Sequence, residues 1–397
     1  MLTLSILLLF SINLFSNVIT IVAAYYILSN YKSWDIANKK FIVTFLIISF
    51  FFILFQTLIY KNFNFQNFIL IKIIIIIFFI FNKFNKNINV ILNKYIIILI
   101  LIISIFLLLE IVTGYNIKEL TSSTSLNKFS GIYGRHKIAG SIILYLVILI
   151  SILSAKKNYK NYFIYFFCGL IIFLSGQRSP FIKFFLISNI FLIVYNIKFY
   201  KNLLIGFMSC IIIFFIFLFL ENNHVSNNKF IITERFDSSD TPLANALSRQ
   251  YNVLYQIKNF KNESYSYLYL TAFELFKQKP IFGNGIGSFR MACKDVDLSK
   301  YNFLEKSNLH QRCNTHPHNS ILEILSEVGL FGFGVIIYLI FKITEYCKKK
   351  EKIYYSLCLF ITYLFPLLPS GSFFGNVNLC FFSLYCGFIY RNSFKNK

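Results

Sequence analysis

The sequence is poor in charge. Only 14% of its 397 residues are Asp, Glu, Lys or Arg, whereas 57% are hydrophobic. A soluble domain of this length needs more polar surface than this composition supplies. Apolar runs of 18–20 residues, such as Phe41–Tyr60 and Leu203–Leu220, match a bilayer core of about 30 Å at about 1.5 Å per residue. Because helices satisfy their own backbone groups in lipid, we predict an all-α protein that crosses a membrane many times.

Arginine is also scarce. Only seven of the 39 basic residues are Arg, and the formal net charge of +23 comes mainly from Lys. A nucleic-acid partner is not expected, because a basic patch needs a soluble face on which to lie. Met1–Leu28 lacks a basic n-region and a small-residue cleavage site, so we expect it to be retained as a membrane segment.

The apolar segments predict a polytopic bundle of 11 or 12 transmembrane helices, in which the first segment counts as one helix or two. The segments are 1–28, 41–60, 68–81, 95–112, 138–155, 162–175, 181–195, 203–220, 319–341, 354–367 and 376–390. They divide the chain into N-terminal helices (1–220), one large loop (221–318), C-terminal helices (319–391) and a short tail (392–397).

Basic residues set the orientation. Successive loops alternate between the two sides of the membrane and so form two sets. The set that includes 342–353 and the tail contains 19 Lys and Arg residues, whereas the short loops of the other set contain six. An excess of Lys and Arg marks the cytoplasmic side. The loops 113–137, 176–180 and 221–318 are therefore predicted to face outward.

This orientation places most arginines and all histidines outside. They are Arg135, Arg178, Arg235, Arg249, Arg290, Arg312, His136, His224, His310, His316 and His318. Arg offers a planar, bidentate donor suited to carboxylate or phosphate, so its retention in a Lys-rich chain suggests anionic ligands. The alternative is that the outer loops are simply less biased towards Lys.

The sharpest motif is Thr315-His-Pro-His-Asn319, where the outer loop enters a helix. His318, with an ordinary pKa of about 6.5, would sit at the membrane surface. Glu323 and Glu327 follow on one helix face. Carboxylates in an apolar span are costly, and are functional candidates for that reason. Gly329 and Gly332, further along, would let a neighbouring helix approach closely.

Four segments in this order resemble the O-antigen ligase and polymerase superfamily. They are Gly131-Ile-Tyr-Gly-Arg-His-Lys-Ile-Ala139, Leu174-Ser-Gly-Gln-Arg-Ser179, Lys279-Pro-Ile-Phe-Gly-Asn-Gly-Ile-Gly-Ser-Phe-Arg290, and His318-Asn319 followed after nine residues by Gly329-Leu-Phe-Gly332. The first departs from the family's commoner His-Pro-Asn form.

The resemblance implies a GT-C-like glycosyltransferase in the bacterial inner membrane. Such an enzyme moves glycan from undecaprenyl-pyrophosphate to a hydroxyl at the periplasmic face. The acceptor is a lipid A-core sugar in a ligase, which is our first choice, and another repeat unit in a polymerase. No cofactor or metal is expected, because arginines would hold the pyrophosphate. Membrane lipid is the remaining partner.

Displacing a sugar from a diphosphate needs cations on the leaving group and a base for the acceptor proton. We assign the base to His318 and the main leaving-group contact to Arg178, and expect the two to meet at one outward-facing pocket. Further substrate-binding candidates are Arg135, Arg290, Arg249 and His316.

Cys293 and Cys313 share the outer loop, where the compartment is oxidising, so a disulfide is expected between them. Zinc binding by Cys313, His316 and His318 is the alternative, but their spacing matches no familiar zinc pattern.

Two other functions compete with glycan transfer. A flippase for lipid-linked glycan would place ionisable groups along an internal path, and this chain has few: Lys72, Glu110, Lys183, Glu323 and Glu327. A scaffold protein would leave the sidedness of His and Arg unexplained.

Overall fold

The fold comes from a computed structural model. It describes residues 12–30, 47, 50–51, 72–73, 75–77, 79–80, 86–116, 121–122, 129–133, 138–153, 159–195, 264–301, 304, 306–345, 347–366 and 368–394. The chain forms two compact units. Unit 1 comprises Met1–Ile102, Tyr145–Lys156 and Tyr251–Lys397, and unit 2 comprises Ile103–Leu144 and Lys157–Gln250.

The described residues are almost wholly helical, as predicted. The helices are α1 (Ile12–Asn30), α2 (Lys86–Thr113), α3 (Ala139–Leu153), α4 (Tyr159–Leu174), α5 (Arg178–Tyr195), α6 (Ser264–Gln278), α7 (Phe289–Ala292), α8 (Ser320–Thr344), α9 (Lys349–Tyr363) and α10 (Asn376–Phe394). Short 3₁₀ turns cover Gly131–Tyr133, Cys293–Asp295 and Lys306–Arg312. A small antiparallel hairpin pairs β1 (Tyr115–Asn116) with β2 (Thr121–Ser122).

Two helices begin well before the predicted segments. α2 and α9 begin earlier, at Lys86 and Lys349, because polar residues before each apolar run also adopt helical structure. α9 ends at Tyr363 rather than at 367. Pro366 explains the early end, because proline disfavours helical backbone in the residue before it.

Two helices of the described part are long and apolar enough to cross a bilayer, Asn89–Thr113 and Ser320–Thr344. The first is apolar on every side. One face is buried, and the opposite face leaves Ile98, Ile105 and Val112 between 50% and 82% exposed. An exposed apolar stripe of this kind suits contact with lipid. The count of 11 or 12 spans stays a prediction.

The core of unit 1 contains several buried tyrosines whose hydroxyls form hydrogen bonds between helices. Tyr145 on α3 donates to Asn378 Oδ1 (2.6 Å), and Tyr385 on α10 donates to the carbonyl of Tyr145 (2.6 Å). Tyr354 on α9 donates to Ser151 Oγ (3.0 Å). Because a buried hydroxyl without a partner is costly, these bonds specify how α3, α9 and α10 pack.

The described residues within 264–318, a range predicted as part of a large loop, form a folded layer with its own core. α6 packs on α8 and on the Lys306–Arg312 turn. The buried residues of this core are Tyr267, Leu268, Ala272, Leu275, Phe289, Cys293, Val296, Leu298 and Leu304. Residues 221–263 lie outside the described part.

Glu274 on α6 binds Lys300 and Tyr301, further along the same folded layer. Its carboxylate accepts hydrogen bonds from Lys277 Nζ (2.9 Å), Lys300 Nζ (2.6 Å) and the Tyr301 hydroxyl. Desolvation opposes the charged form of Glu274, but these hydrogen bonds outweigh it and lower its pKa to about 2. The segment around Lys300 is thereby fixed against α6.

In unit 2, α4 packs on α5 through a close approach at Gly169. A Cβ there would lie 2.6 Å from the Phe184 ring, so a larger residue would push the helices apart. Tyr165 and Phe191 stack beside this contact, with ring centroids 5.7 Å apart. This pair of helices positions the Ser175–Arg178 turn, which joins them.

Candidate active site

His318 immediately precedes the N-cap of α8. Asn319 is the cap, and its Oδ1 accepts from the backbone N–H groups of Ile321 (3.1 Å) and Leu322 (3.2 Å). The backbone of His318 has a φ of 56°. Among the described residues, it is the only non-glycine residue with a positive φ. Bulky side chains rarely adopt this left-handed conformation. Strain of this kind clusters at functional sites.

Hydrogen bonds to the backbone hold His318 in place. Its carbonyl accepts from the N–H of Ser370 (2.7 Å) and from the Tyr269 hydroxyl (3.5 Å). The Asn319 amide donates to the carbonyl of Pro366 (2.6 Å). The loop between α9 and α10 and one face of α6 therefore fix the backbone of this histidine.

The imidazole of His318 is half-buried among three side chains. Asn314 Nδ2 lies 3.3 Å from its Nε2. The Tyr265 ring meets it edge-on at 5.7 Å between centroids, and the His316 ring lies 4.1 Å away. We call Tyr265, Asn314, His316 and His318 the imidazole cluster.

His316 is neutral near pH 7. Burial is the main reason and the neighbouring His318 the next, and together they lower its pKa to about 4. Its Nδ1 lies 3.0 Å from the Thr315 hydroxyl. The cluster therefore contains one histidine that stays uncharged beside the one predicted to be the base.

Behind the cluster, α8 is broken at Gly329, which has φ 67° and ψ −169°. The N–H groups of Leu330 and Phe331 donate to the carbonyls of Pro280 (2.9 Å) and Ile281 (3.0 Å) instead of to their own helix. The sequence predicted a neighbouring helix at Gly329. The neighbour is instead the backbone of the 280–285 loop, which occupies the break.

The same loop contacts the turn of α8 before the break. Asn284 and Gly285 donate their N–H groups to the carbonyls of Ser326 (2.9 Å) and Glu327 (2.7 Å). Gly283 has a φ of 67°, and a Cβ there would overlap the backbone of Glu327. Gly283 is thus required by close contact between two backbones.

Both carboxylates of α8 bind loop backbone. Buried Glu327 accepts from the N–H groups of Gly287 (2.7 Å) and Phe289 (3.3 Å). Buried Glu323 accepts from the Ser372 hydroxyl (2.5 Å) and the Phe373 N–H (2.6 Å). The sequence marked both as functional candidates, and these bonds give them the role of anchors for the two loops beside α8.

Arg290 lies on α7, and its side chain is exposed. The Cys293–Cys313 disulfide, which was expected from the sequence, joins the end of α7 to the segment that leads to His316 and His318. Its Cα–Cα distance is 5.3 Å. Arg312 reinforces this link by donating to the carbonyl of Lys294 (2.9 Å). The disulfide ends one residue before Asn314, so it fixes the start of the imidazole cluster.

In unit 2, half-buried Arg178 is the first residue of α5. The turn before it is held by Gln177, whose Oε1 accepts from the N–H and the hydroxyl of Ser141 (both 3.3 Å). A Cβ at Gly140 would lie 2.5 Å from Ser175 Oγ. α3 therefore packs closely on this turn and sets the position of Arg178.

Glu110 on α2 holds a second turn of unit 2. Its Oε2 accepts from the N–H groups of Ser130 (2.9 Å) and Gly131 (2.5 Å). The preceding residue, Phe129, donates its N–H to the carbonyl of Ser175 (3.2 Å). The turns that lead to Arg135 and to Arg178 are thus bonded to each other.

Several predicted site residues are not observed together. Arg135 and Arg249 lie outside the described residues. His318 belongs to unit 1 and Arg178 to unit 2, and their convergence stays a prediction. Sequence reasoning missed Asn314, Tyr265 and Tyr269. The two tyrosines are four residues apart, a helical spacing that could have indicated a shared face.

A comparison with known protein families bears on the segments that resemble the O-antigen ligase and polymerase superfamily. Residues 163–337 match the family model described as O-antigen ligase. This match confirms the resemblance of the segments within it to the O-antigen ligase and polymerase superfamily. No curated protein matches the chain in a sequence search.

The family match covers Arg178, Arg290 and the imidazole cluster, whereas the Gly131–Ala139 segment precedes it. The matched family is one of bacterial membrane proteins in lipopolysaccharide biosynthesis, and it supports glycosyltransferase-like activity on lipid-linked glycan with a lipid acceptor. Among the described residues, no group of three or more His, Cys, Asp or Glu side chains is arranged to hold a metal ion.

Proposed function

We propose that this O-antigen ligase family protein transfers glycan from undecaprenyl-pyrophosphate to a hydroxyl of a lipid A-core sugar. The reaction takes place at the periplasmic face of the inner membrane. His318 is the general base, and Arg178 holds the pyrophosphate together with Arg135, Arg249 and Arg290. His316 contacts substrate as a neutral ring.

The observation that carries the proposal is the backbone of His318, which has a positive φ and is fixed by hydrogen bonds to its carbonyl. Its φ of 56° is maintained by bonds from Ser370 and Tyr269 to its carbonyl. These contacts involve three separate parts of unit 1. A base must keep its ring within hydrogen-bond reach of a substrate hydroxyl, and a backbone fixed in one conformation meets that need.

The proposed reaction is one displacement. His318 accepts the proton of the acceptor hydroxyl while the oxygen attacks the anomeric carbon of the donor sugar. The bond from that carbon to the diphosphate breaks, and its electron pair stays on the diphosphate oxygen. Preorganised cations stabilise the charge that develops there, and arginine forks suit phosphate oxygens.

Arg178 suits this role because of its place at the first residue of α5. The N-terminal backbone N–H groups of a helix favour an anion, and the guanidinium adds a full charge at the same end. The Ser175–Gln177 turn is bonded to both Phe129 and Ser141. This rigid support suits a group that must meet a leaving diphosphate.

The buried acids argue against a flippase. Glu110, Glu323 and Glu327 each accept hydrogen bonds from backbone N–H groups of a nearby loop. Lys72 Nζ donates hydrogen bonds to Oδ1 of Asn17 and Oδ1 of Asn376, at 3.4 Å each. Groups engaged in this way hold loops and helices together, and they do not form a free ionisable path.

Proteoliposomes with the full chain, an undecaprenyl-pyrophosphate-linked glycan and lipid A-core test the proposal. We expect glycan attached to lipid A-core in the mass spectrum, with or without a chelator. Longer lipid-linked glycan and untouched lipid A-core would identify a polymerase instead. Neither product, from protein that is folded in the vesicles, would contradict the proposal.

A further inference from the structure

The orientation of the Asn314 side chain is fixed by its neighbour. Its Oδ1 lies 2.7 Å from the backbone nitrogen of Thr315. A backbone N–H can only donate, so the atom that faces it must be the amide oxygen. The amide nitrogen Nδ2 is therefore the atom that lies 3.3 Å from His318 Nε2.

This orientation sets the tautomer of His318. An amide N–H₂ group donates and has no lone pair to offer. His318 Nε2 must then be the acceptor, so it carries the lone pair while the ring proton lies on Nδ1. Asn314 thus selects the neutral imidazole whose Nε2 is able to take up a proton.

The neighbouring ring supports the same state. The His316 ring lies 4.1 Å from that of His318 and is neutral near pH 7. The Thr315 hydroxyl lies 3.4 Å from Asn314 Oδ1 and 3.0 Å from His316 Nδ1. One short run of residues therefore links the two imidazoles through the Asn314 amide.

We propose that Asn314 is a positioning residue that keeps the lone pair of His318 on Nε2 and occupies the place of the acceptor hydroxyl. The inference rests on the proposed function. The Asn314 side chain is exposed, so it can move aside. The acceptor hydroxyl then donates to Nε2 in place of the amide, and during attack its proton passes to that nitrogen. Asn314 itself gains and loses no proton.

Two substitutions separate this role from simple packing. Asn314→Asp keeps the shape and the oxygen that faces Thr315, but it replaces the donor with a carboxylate oxygen, which can only accept. His318 must then place a proton on Nε2, and the lone pair needed by the acceptor is lost. Asn314→Ala removes the donor without putting an acceptor in its place.

We expect Asn314→Asp to lower the transfer rate by at least about 10-fold, within the range that general-base catalysis contributes. The acidic limb of its pH–rate profile should move to higher pH, because a carboxylate stabilises the protonated ring. Asn314→Ala should lower the rate less than Asn314→Asp does, because it leaves both neutral tautomers of His318 accessible, and it should not move the acidic limb. Equal rates and pH profiles for the two variants would overturn the inference, as would complete loss in both.

His318→Ala separates this inference from the proposed function. If His318→Ala keeps the wild-type rate, the proposed function itself is wrong. If His318→Ala is inactive while the two Asn314 variants behave alike, only the role of Asn314 fails. Melting temperatures of all three variants in detergent show whether any loss of rate reflects unfolding.

Discussion

The carboxylate of Glu327 accepts a hydrogen bond from the backbone N–H of Gly287 at 2.7 Å, across 40 positions of sequence. The partner lies in the glycine-rich segment that the family match also contains. A buried side chain of α8 thus organises the turn that leads into α7. The Cys293–Cys313 disulfide connects the same turn to the segment that leads to His316 and His318.

Glu327→Ala should destabilise the fold. It leaves the N–H groups of Gly287 and Phe289 without their acceptor, at a cost of about 1–3 kcal/mol for each unpaired group. Thermal melting of the purified protein measures the effect. Glu345→Ala, at the C-cap of the same helix, is the control. Glu345 forms a partly exposed pair with Lys342, and such pairs contribute ~0–1 kcal/mol. Equal melting temperatures for the two variants would contradict the anchoring role.

Gly329→Ala should be more harmful than Gly334→Ala. Gly329 has a positive φ, and a Cβ there would overlap the backbone of Ile281, whereas a Cβ at Gly334 meets nothing within 4 Å. The φ of 67° and ψ of −169° at Gly329 fall in a region used almost only by glycine, and this backbone costs a residue with a Cβ about 1–3 kcal/mol. The yield of monodisperse protein after solubilisation compares the two variants. An undiminished yield for Gly329→Ala would mean that the break in α8 is not needed.

The disulfide should contribute to stability. Cys293 and Cys313 are separated by 20 residues, and the loop-entropy model gives roughly 3 kcal/mol for a loop of about this size. The double variant Cys293→Ser, Cys313→Ser should melt at a lower temperature than wild type, and reductant should lower only the wild-type value. If reductant destabilises the double variant equally, the effect comes from elsewhere.

Much of the framework could be predicted from the sequence. Apolar runs located α2, α3, α5 and α10, because a membrane helix needs such a run. The entry to α8 at Asn319 followed from its change in polarity, and the disulfide followed from two cysteines in one outer loop.

The contacts that build the site could not be predicted in this way. α6 (Ser264–Gln278) mixes polar and aromatic residues, so it resembles loop by composition, although it is held by packing on α8. The break at Gly329 depends on a loop that lies more than 40 residues earlier in the chain. Hydrophobicity and spacing do not reveal such backbone contacts, because they arise only after α8 and the loop have packed.

The predicted topology places 221–318 outside the cytoplasm and 342–353 inside. Reporter fusions that are active on only one side of the membrane test this at position 250 and within 342–353. We expect a periplasmic reporter to be active at 250 and a cytoplasmic reporter at 342–353. A cytoplasmic reporter active at 250 would invert the orientation and remove the proposed periplasmic reaction.

The central claim is that His318 is the base of a glycan transfer in which Arg178 binds the leaving group. The direct measurement is the rate of glycan transfer to lipid A-core by His318→Ala and Arg178→Lys, at matched protein level in the membrane. His318→Ala should lose about 10²–10⁴-fold in rate. Arg178→Lys should also lose activity, because lysine keeps the charge but not the bidentate geometry. Wild-type rates for both variants would contradict the account.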